Sequence, residues 1–150
     1  MKQGFVKVAS ATPRIRVADP VYNAQVICEQ AKEAAEHGAK IVVFPELCIT
    51  GYTCNDLFLQ ELLLEKAKEA LLTIAEETGQ LETLFLVGLP VDKDGRLYNV
   101  AAVLYRGRIL GMIPKKNIPM YAEFYEGRHF TPGEAVSYTH LRAHETRRHL

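Results

Sequence analysis

Lys40-Ile-Val-Val-Phe-Pro-Glu-Leu-Cys-Ile-Thr-Gly-Tyr52 is the stretch on which the fold turns. Its first five residues form a β-branched run, too short for a helix and suited to a buried strand. Pro45 stiffens the exit and Gly51 permits a tight turn beyond it. Glu46 is thereby left just past the end of the strand, where open α/β sheets gather their reactive groups.

Working outward, the preceding segment reads as a helix. Asp19 caps its start, Pro20 suits its first turn, and Val21, Ala24, Cys28, Ala31 and Ala35 recur at steps of three and four. Gly38 supplies a left-handed stop. Before that helix, Gly4–Ser10 reads as a first strand. After a loop over Pro45–Asn55, a second helix is expected from Asp56 to Thr78, with Leu64, Ala67, Leu71, Ile74 and Ala75 as its stripe and Gly79 as its end. Leu84–Leu89 is a third strand. The turn Asp92-Lys-Asp-Gly95 leads to a strand over Leu97–Tyr105, and Arg106-Gly107 turns into another over Arg108–Ile113. Strand, helix, strand, helix, strand and hairpin make an α/β layered domain with mixed strand directions.

The chain has 150 residues, 48% hydrophobic and 24% charged, which is enough for one domain with a real core. Eighteen basic side chains balance eighteen acidic ones. That leaves no basic face for nucleic acid or an anionic membrane, and no apolar run is long enough to span a bilayer. Cys28, Cys48 and Cys54 are odd in number and lack metal-ligand spacing, so reduced thiols and a cytoplasmic setting are expected, with no metal site. From Val136 to Leu150 the periodicity vanishes and three of the five histidines gather among arginines. Within that stretch Val136–Thr146 resembles translated sequencing-adapter sequence, and residues 136–150 are expected to be a non-native tail.

Two further stretches carry possible chemistry. Ile113-Pro-Lys-Lys-Asn-Ile-Pro-Met-Tyr121 places Lys115 at the end of the last hairpin strand, where an ammonium is suited to a developing oxyanion. Glu123-Phe-Tyr-Glu-Gly-Arg-His-Phe130 adds two acids among aromatics. Taken singly, Glu46 reads equally as a solvated loop acid, the Lys115-Lys116 pair as surface charge, and the last stretch as an amphipathic turn.

Taken together over residues 3–135, these stretches resemble the nitrilase superfamily of carbon–nitrogen hydrolases, whose catalytic set is a Glu, a Lys and a Cys. Within it, Pro45–Phe58, Gly95–Lys115 and Pro119–Phe130 are most similar to the glutaminase domain of glutamine-dependent NAD synthetases. The resemblance implies Glu46 as general base and Lys115 as catalytic lysine, with Lys116 as its alternative. It also implies Glu126 as an additional site acid, with Glu123 as fallback, and Tyr121 as a substrate-binding residue. It implies the N-terminal portion of an α-β-β-α sandwich, so an unpaired sheet edge and incompletely covered apolar faces are expected. The family's nucleophilic cysteine follows the lysine; here no cysteine follows Lys115, and Cys48 and Cys54 both precede it.

By this resemblance, glutamine is the substrate. Its ammonia passes to a C-terminal synthetase domain that uses ATP with Mg to amidate nicotinic acid adenine dinucleotide, within a homo-oligomer. No phosphate-binding glycine loop occurs in these residues. A stand-alone nitrilase-like amidase or carbamoylase, and a non-catalytic α/β binding module, are the other readings compatible with the sequence. If Glu46 and Lys115 serve one amide, the strands they follow are expected to be neighbours and their side chains to converge on one side of the sheet.

Overall fold

The computed structural model describes residues 4–133, so the expected non-native tail lies outside the described residues. The elements are β1 (Val8–Ser10), α1 (Pro20–Glu36), β2 (Ile41–Val43), α2 (Glu61–Glu77), β3 (Leu84–Lys93), β4 (Arg96–Tyr105) and β5 (Arg108–Pro114). Short 3-10 turns lie at Asn55–Leu59 and Glu126–Arg128.

One five-stranded sheet is ordered β1-β2-β3-β4-β5. β1, β2 and β3 pair in parallel, whereas β4 is antiparallel to both of its neighbours. Hence β2, β3 and β5 all run the same way, and the chain leaves β2 and β5 at the same end of the sheet. That geometric fact builds the site.

α1 starts as its residues dictate. Asp19 accepts a hydrogen bond from the Tyr22 N–H at 3.1 Å, and Pro20 follows it. Its end is a Schellman cap: Gly38 sits at φ +83, its N–H reaches the Ala35 carbonyl, and the Ala39 N–H reaches that of Ala34. α1 and α2 cover one sheet face, where Ile27, Ala31, Ala67, Leu71 and Ile74 pack on Val42, Phe85, Val87, Leu89, Ala102 and Leu104. On the opposite face Ile41, Leu84, Leu86, Ala101 and Val103 remain half-buried, with Val43 and Ile113 exposed. The alternation of full and partial burial is the pleat itself.

Five expectations need correction. The strands that lead to Glu46 and Lys115 are not neighbours, since β3 and β4 lie between β2 and β5. The second helix is not continuous from Asp56. A 3-10 turn ends at Leu59, Gln60 is extended, and α2 begins at Glu61. The break lets Phe58 drop into a second small core with Leu47, Cys54, Leu63, Leu97 and Phe130, instead of following the stripe of α2. Within that core, Phe58 meets Phe130 edge-on at 5.0 Å. The first strand is only Val8–Ser10, because its neighbour β2 offers just three residues to pair with. Val21 is exposed, and Ile27 takes its place in the buried stripe of α1.

β3 runs four residues past the expected Leu89. Pro90 suggests a stop, but the main-chain groups of residues 86 and 88 point towards the β2 side, accepting from the Phe44 and Ile49 N–H groups. Pro90 shares that orientation at a point where β2 has already ended. Its missing N–H therefore costs no ladder bond.

Candidate active site

Glu46 sits on a tight turn between β2 and the following loop. The turn is closed by hydrogen bonds from the Cys48 N–H to Pro45, from Thr50 to Leu47 and from Gly51 to Leu47. Leu47, fully buried, adopts φ +53, a conformation that costs a branched residue about 1–2 kcal/mol and persists only because its surroundings hold it. Two neighbours supply that hold. The buried Asn23 on α1 donates to the Ile49 carbonyl at 2.9 Å. Gly88 on β3 lies so close beneath the turn that a β-carbon there would stand 2.4 Å from the Leu47 nitrogen.

Lys115 leaves β5 at the same end of the sheet, its N–H bound to the Asn99 carbonyl at 2.7 Å. Its ammonium donates to Glu46 Oε1 at 2.7 Å and to the two oxygens of Glu126 at 3.0 and 2.9 Å. The three donors of the lysine are thus all engaged. Glu126 is the buried member, with 5% of its side chain exposed against 41% for Glu46. A carboxylate this deep requires a partner charge, and Lys115 supplies it. The Tyr52 hydroxyl adds a hydrogen bond to Glu126 Oε1 at 2.9 Å.

Desolvation pulls the lysine's pKa down, but the hydrogen bonds and charges of Glu46 and Glu126 outweigh it, and the net shift is upward. Lys115 is therefore a cation across the neutral range. Desolvation of the hydroxyl end of Tyr52, with the hydrogen bond to Glu126, pushes that phenol from 10.0 up to about 12. Because the shift is upward, the stability carried by this contact is complete below pH 10 and is lost as pH rises towards about 12. Tyr52→Phe is expected to remove a phenolate that forms near pH 12 in an ultraviolet titration. An unchanged high-pH phase in that variant would contradict the contact.

The structure brings together Glu46, Lys115 and Glu126. Lys116 and Glu123 are exposed, and Tyr121 is 69% exposed, with its ring against Phe124 at 5.6 Å. Tyr52 and Asn99 were not assigned site roles from the sequence. Asn99 had a legible signal, as the one amide in the otherwise apolar run Leu97–Leu104. Its Nδ2 donates to Glu46 Oε1. The turn that carries Glu126 is tethered from outside, where Asp56 meets both Arg128 and His129 at 3.1 Å.

The three thiols lie apart from this chemistry. Cys48 is buried against the Gly88 carbonyl, and Cys54 donates to the Thr50 carbonyl at 3.1 Å. Burial pushes Cys28 and Cys48 up to about 11 and raises Cys54 as well, so all three are protonated near neutrality.

Comparison with known proteins places the chain in a family. The carbon-nitrogen hydrolase family model matches residues 7–144. The chain is 40% identical over 133 residues to a glutamine-dependent NAD(+) synthetase of Mycobacterium tuberculosis, covering 89% of this chain and 20% of that protein. Against the Thermotoga maritima protein of the same description it is 36% identical over 136 residues, covering 91% and 23%. The chain spans about a fifth of the length of these curated relatives. Among solved structures it aligns with a glutamine-dependent NAD(+) synthetase from Cytophaga hutchinsonii at a TM-score of 0.83 and 30% identity, covering 88% of this chain and 22% of that one. An amidase from Nesterenkonia sp. aligns at 0.70 and 26% identity, covering 86% and 48%. With a nitrilase-type α/β fold and a family match over nearly its whole length, the chain belongs to the carbon-nitrogen hydrolase family.

Proposed function

We propose that this chain supplies the base and the oxyanion-stabilising lysine of a glutaminase whose nucleophilic thiol lies outside these 150 residues. The ammonia released feeds the ATP-dependent amidation of nicotinic acid adenine dinucleotide to NAD by a synthetase domain of the same, longer protein. The observation that carries the proposal is the Glu46–Lys115–Glu126 cluster at the common exit of β2 and β5. In it a half-exposed carboxylate touches an ammonium that stays charged across the neutral range. The 40% identity to a glutamine-dependent NAD(+) synthetase supports this substrate over others.

In this scheme Glu46 takes the proton of the incoming thiol and the thiolate attacks the side-chain amide carbon of glutamine. Lys115 turns one donor from Glu126 towards the developing oxyanion, and protonated Glu46 gives its proton to the amide nitrogen so that ammonia leaves. Water, losing a proton to Glu46, then hydrolyses the thioester, and the thiolate is reprotonated. Glu126, fixed by Tyr52, keeps the lysine charged and aimed. ATP and Mg belong to the synthetase domain, not to these residues. A stand-alone amidase would use the same Glu and Lys, and the alignment with the Nesterenkonia amidase keeps that reading as second choice.

The 150-residue chain alone is expected to release no ammonia from glutamine, since its thiols are buried and protonated. The same chain joined to a continuation that carries the family's cysteine is expected to release it. Ammonia release by the chain alone, abolished by Cys48→Ala or Cys54→Ala, would overturn this assignment of the nucleophile.

A further inference from the structure

Asn99 occupies a position that an ordinary core residue would fill with an apolar side chain. It is 3% exposed, on β4, with Val100 next in the strand. Its main chain and side chain reach the two halves of one ion pair. The carbonyl receives the Lys115 N–H at 2.7 Å, and the side-chain amide donates to Glu46 Oε1. The amide nitrogen has to face Glu46, because an ionised carboxylate only accepts hydrogen bonds. Lys115 binds the same oxygen at 2.7 Å. Oε1 thus holds two donors, while Oε2 has no hydrogen-bond partner among the described residues.

We propose that Asn99 is a positioning residue that holds Glu46 Oε1 against Lys115 and so presents Oε2 as the oxygen that receives the nucleophile's proton. The S–H bond breaks, the O–H bond forms at Oε2, and the thiolate keeps the electron pair for attack on the amide. The inference rests on the glutaminase reading above. It adds that the orientation of the base is set by a residue that never touches substrate. Without the amide, the carboxylate is free to rotate about its terminal torsion, which is broad and two-fold, and both oxygens compete for the ammonium.

The test uses the intact enzyme, with glutamine-dependent ammonia release and ammonia-driven NAD formation measured side by side. Asn99→Leu is expected to lower kcat for glutamine hydrolysis by about 10- to 100-fold, with KM changed by no more than about threefold. Ammonia-driven NAD formation, carried by the synthetase domain, is expected to persist, and the near-unchanged KM for glutamine shows that the site carrying Asn99 is folded. Asn99→Asp supplies the diagnostic. Ionised, the new carboxylate repels Glu46; protonated, it again donates to Oε1. Its kcat relative to wild type is therefore expected to climb as pH is lowered from about 8 to about 5.5, which Asn99→Leu does not show. A purely structural asparagine gives no such recovery. An unchanged kcat in Asn99→Leu, or a loss in Asn99→Asp that is flat with pH, overturns the positioning role while leaving the glutaminase reading intact. A wild-type enzyme that releases no ammonia from glutamine overturns that reading itself, and this inference with it.

Discussion

Gly88→Ala is expected to lower the stability of the fold by about 3 kcal/mol and to open the Glu46–Lys115 contact, although the residue touches neither side chain. A β-carbon at this position would stand 2.4 Å from the Leu47 nitrogen, 2.8 Å from the Pro45 carbonyl oxygen and 3.0 Å from the Glu46 carbonyl carbon. All three are main-chain atoms, so no rotamer change relieves the clash. The turn is also tied to α1, where the buried Asn23 amide donates to the Ile49 carbonyl at 2.9 Å. Pushing it away from β3 also weakens the bond from the Ile49 N–H to the Gly88 carbonyl at 3.2 Å. Gly111→Ala on β5 is the matched control, since a β-carbon there meets nothing within 4 Å. Denaturant midpoints of the two variants check the argument. Equal midpoints would show that the close approach is not a constraint.

Glu46→Gln is expected to cut glutamine-dependent ammonia release by the intact enzyme by about 10²- to 10⁴-fold, because the amide cannot accept the thiol proton. Lys115→Met is expected to cut it by about 10²- to 10³-fold through loss of oxyanion stabilisation. The two losses should not add, since the residues act in one step. The variants should separate in stability, however. Glu46→Gln keeps Lys115 on Glu126, whereas Lys115→Met strands a carboxylate only 5% exposed, a defect of about 3–5 kcal/mol. Lys115→Arg keeps the charge and tells folding loss from catalytic loss. Ammonia-driven NAD formation should survive Glu46→Gln. A reduction of less than about tenfold in ammonia release by Glu46→Gln would remove Glu46 from the role of base.

The parts legible in the sequence were those written in local pattern. The helix stripes, the Asp19-Pro20 start and the Gly38 stop are short-range signals. The succession of elements was legible because helices separate the first three strands and tight turns join the last three, whereas the order of the strands in the sheet was not. Glu46 and Lys115 each lie just past a strand, which by itself left them readable as solvated charge; the family resemblance singled them out, and the parallel course of β2 and β5 brings them together. What was hidden depends on pairing across the fold. The break at Gln60 exists because Phe58 finds Phe130, a partner 72 positions away in the chain. Pro90 is harmless only because β2 ends early. Asn99 reads as an oddity in an apolar strand until the turn carrying Glu46 is laid above it, and Tyr52 reads as an ordinary loop aromatic until Glu126 is buried beside it.

Nitrogen tracing tests the central claim most directly. The intact protein is supplied with glutamine carrying ¹⁵N in its side-chain amide, together with ATP, Mg and nicotinic acid adenine dinucleotide, and the NAD formed is analysed by mass spectrometry. The account predicts NAD labelled in its carboxamide nitrogen, with the label lost in Glu46→Gln and unlabelled ammonia still accepted by that variant. Absence of label in the wild-type product, or labelling undiminished in Glu46→Gln, would contradict it.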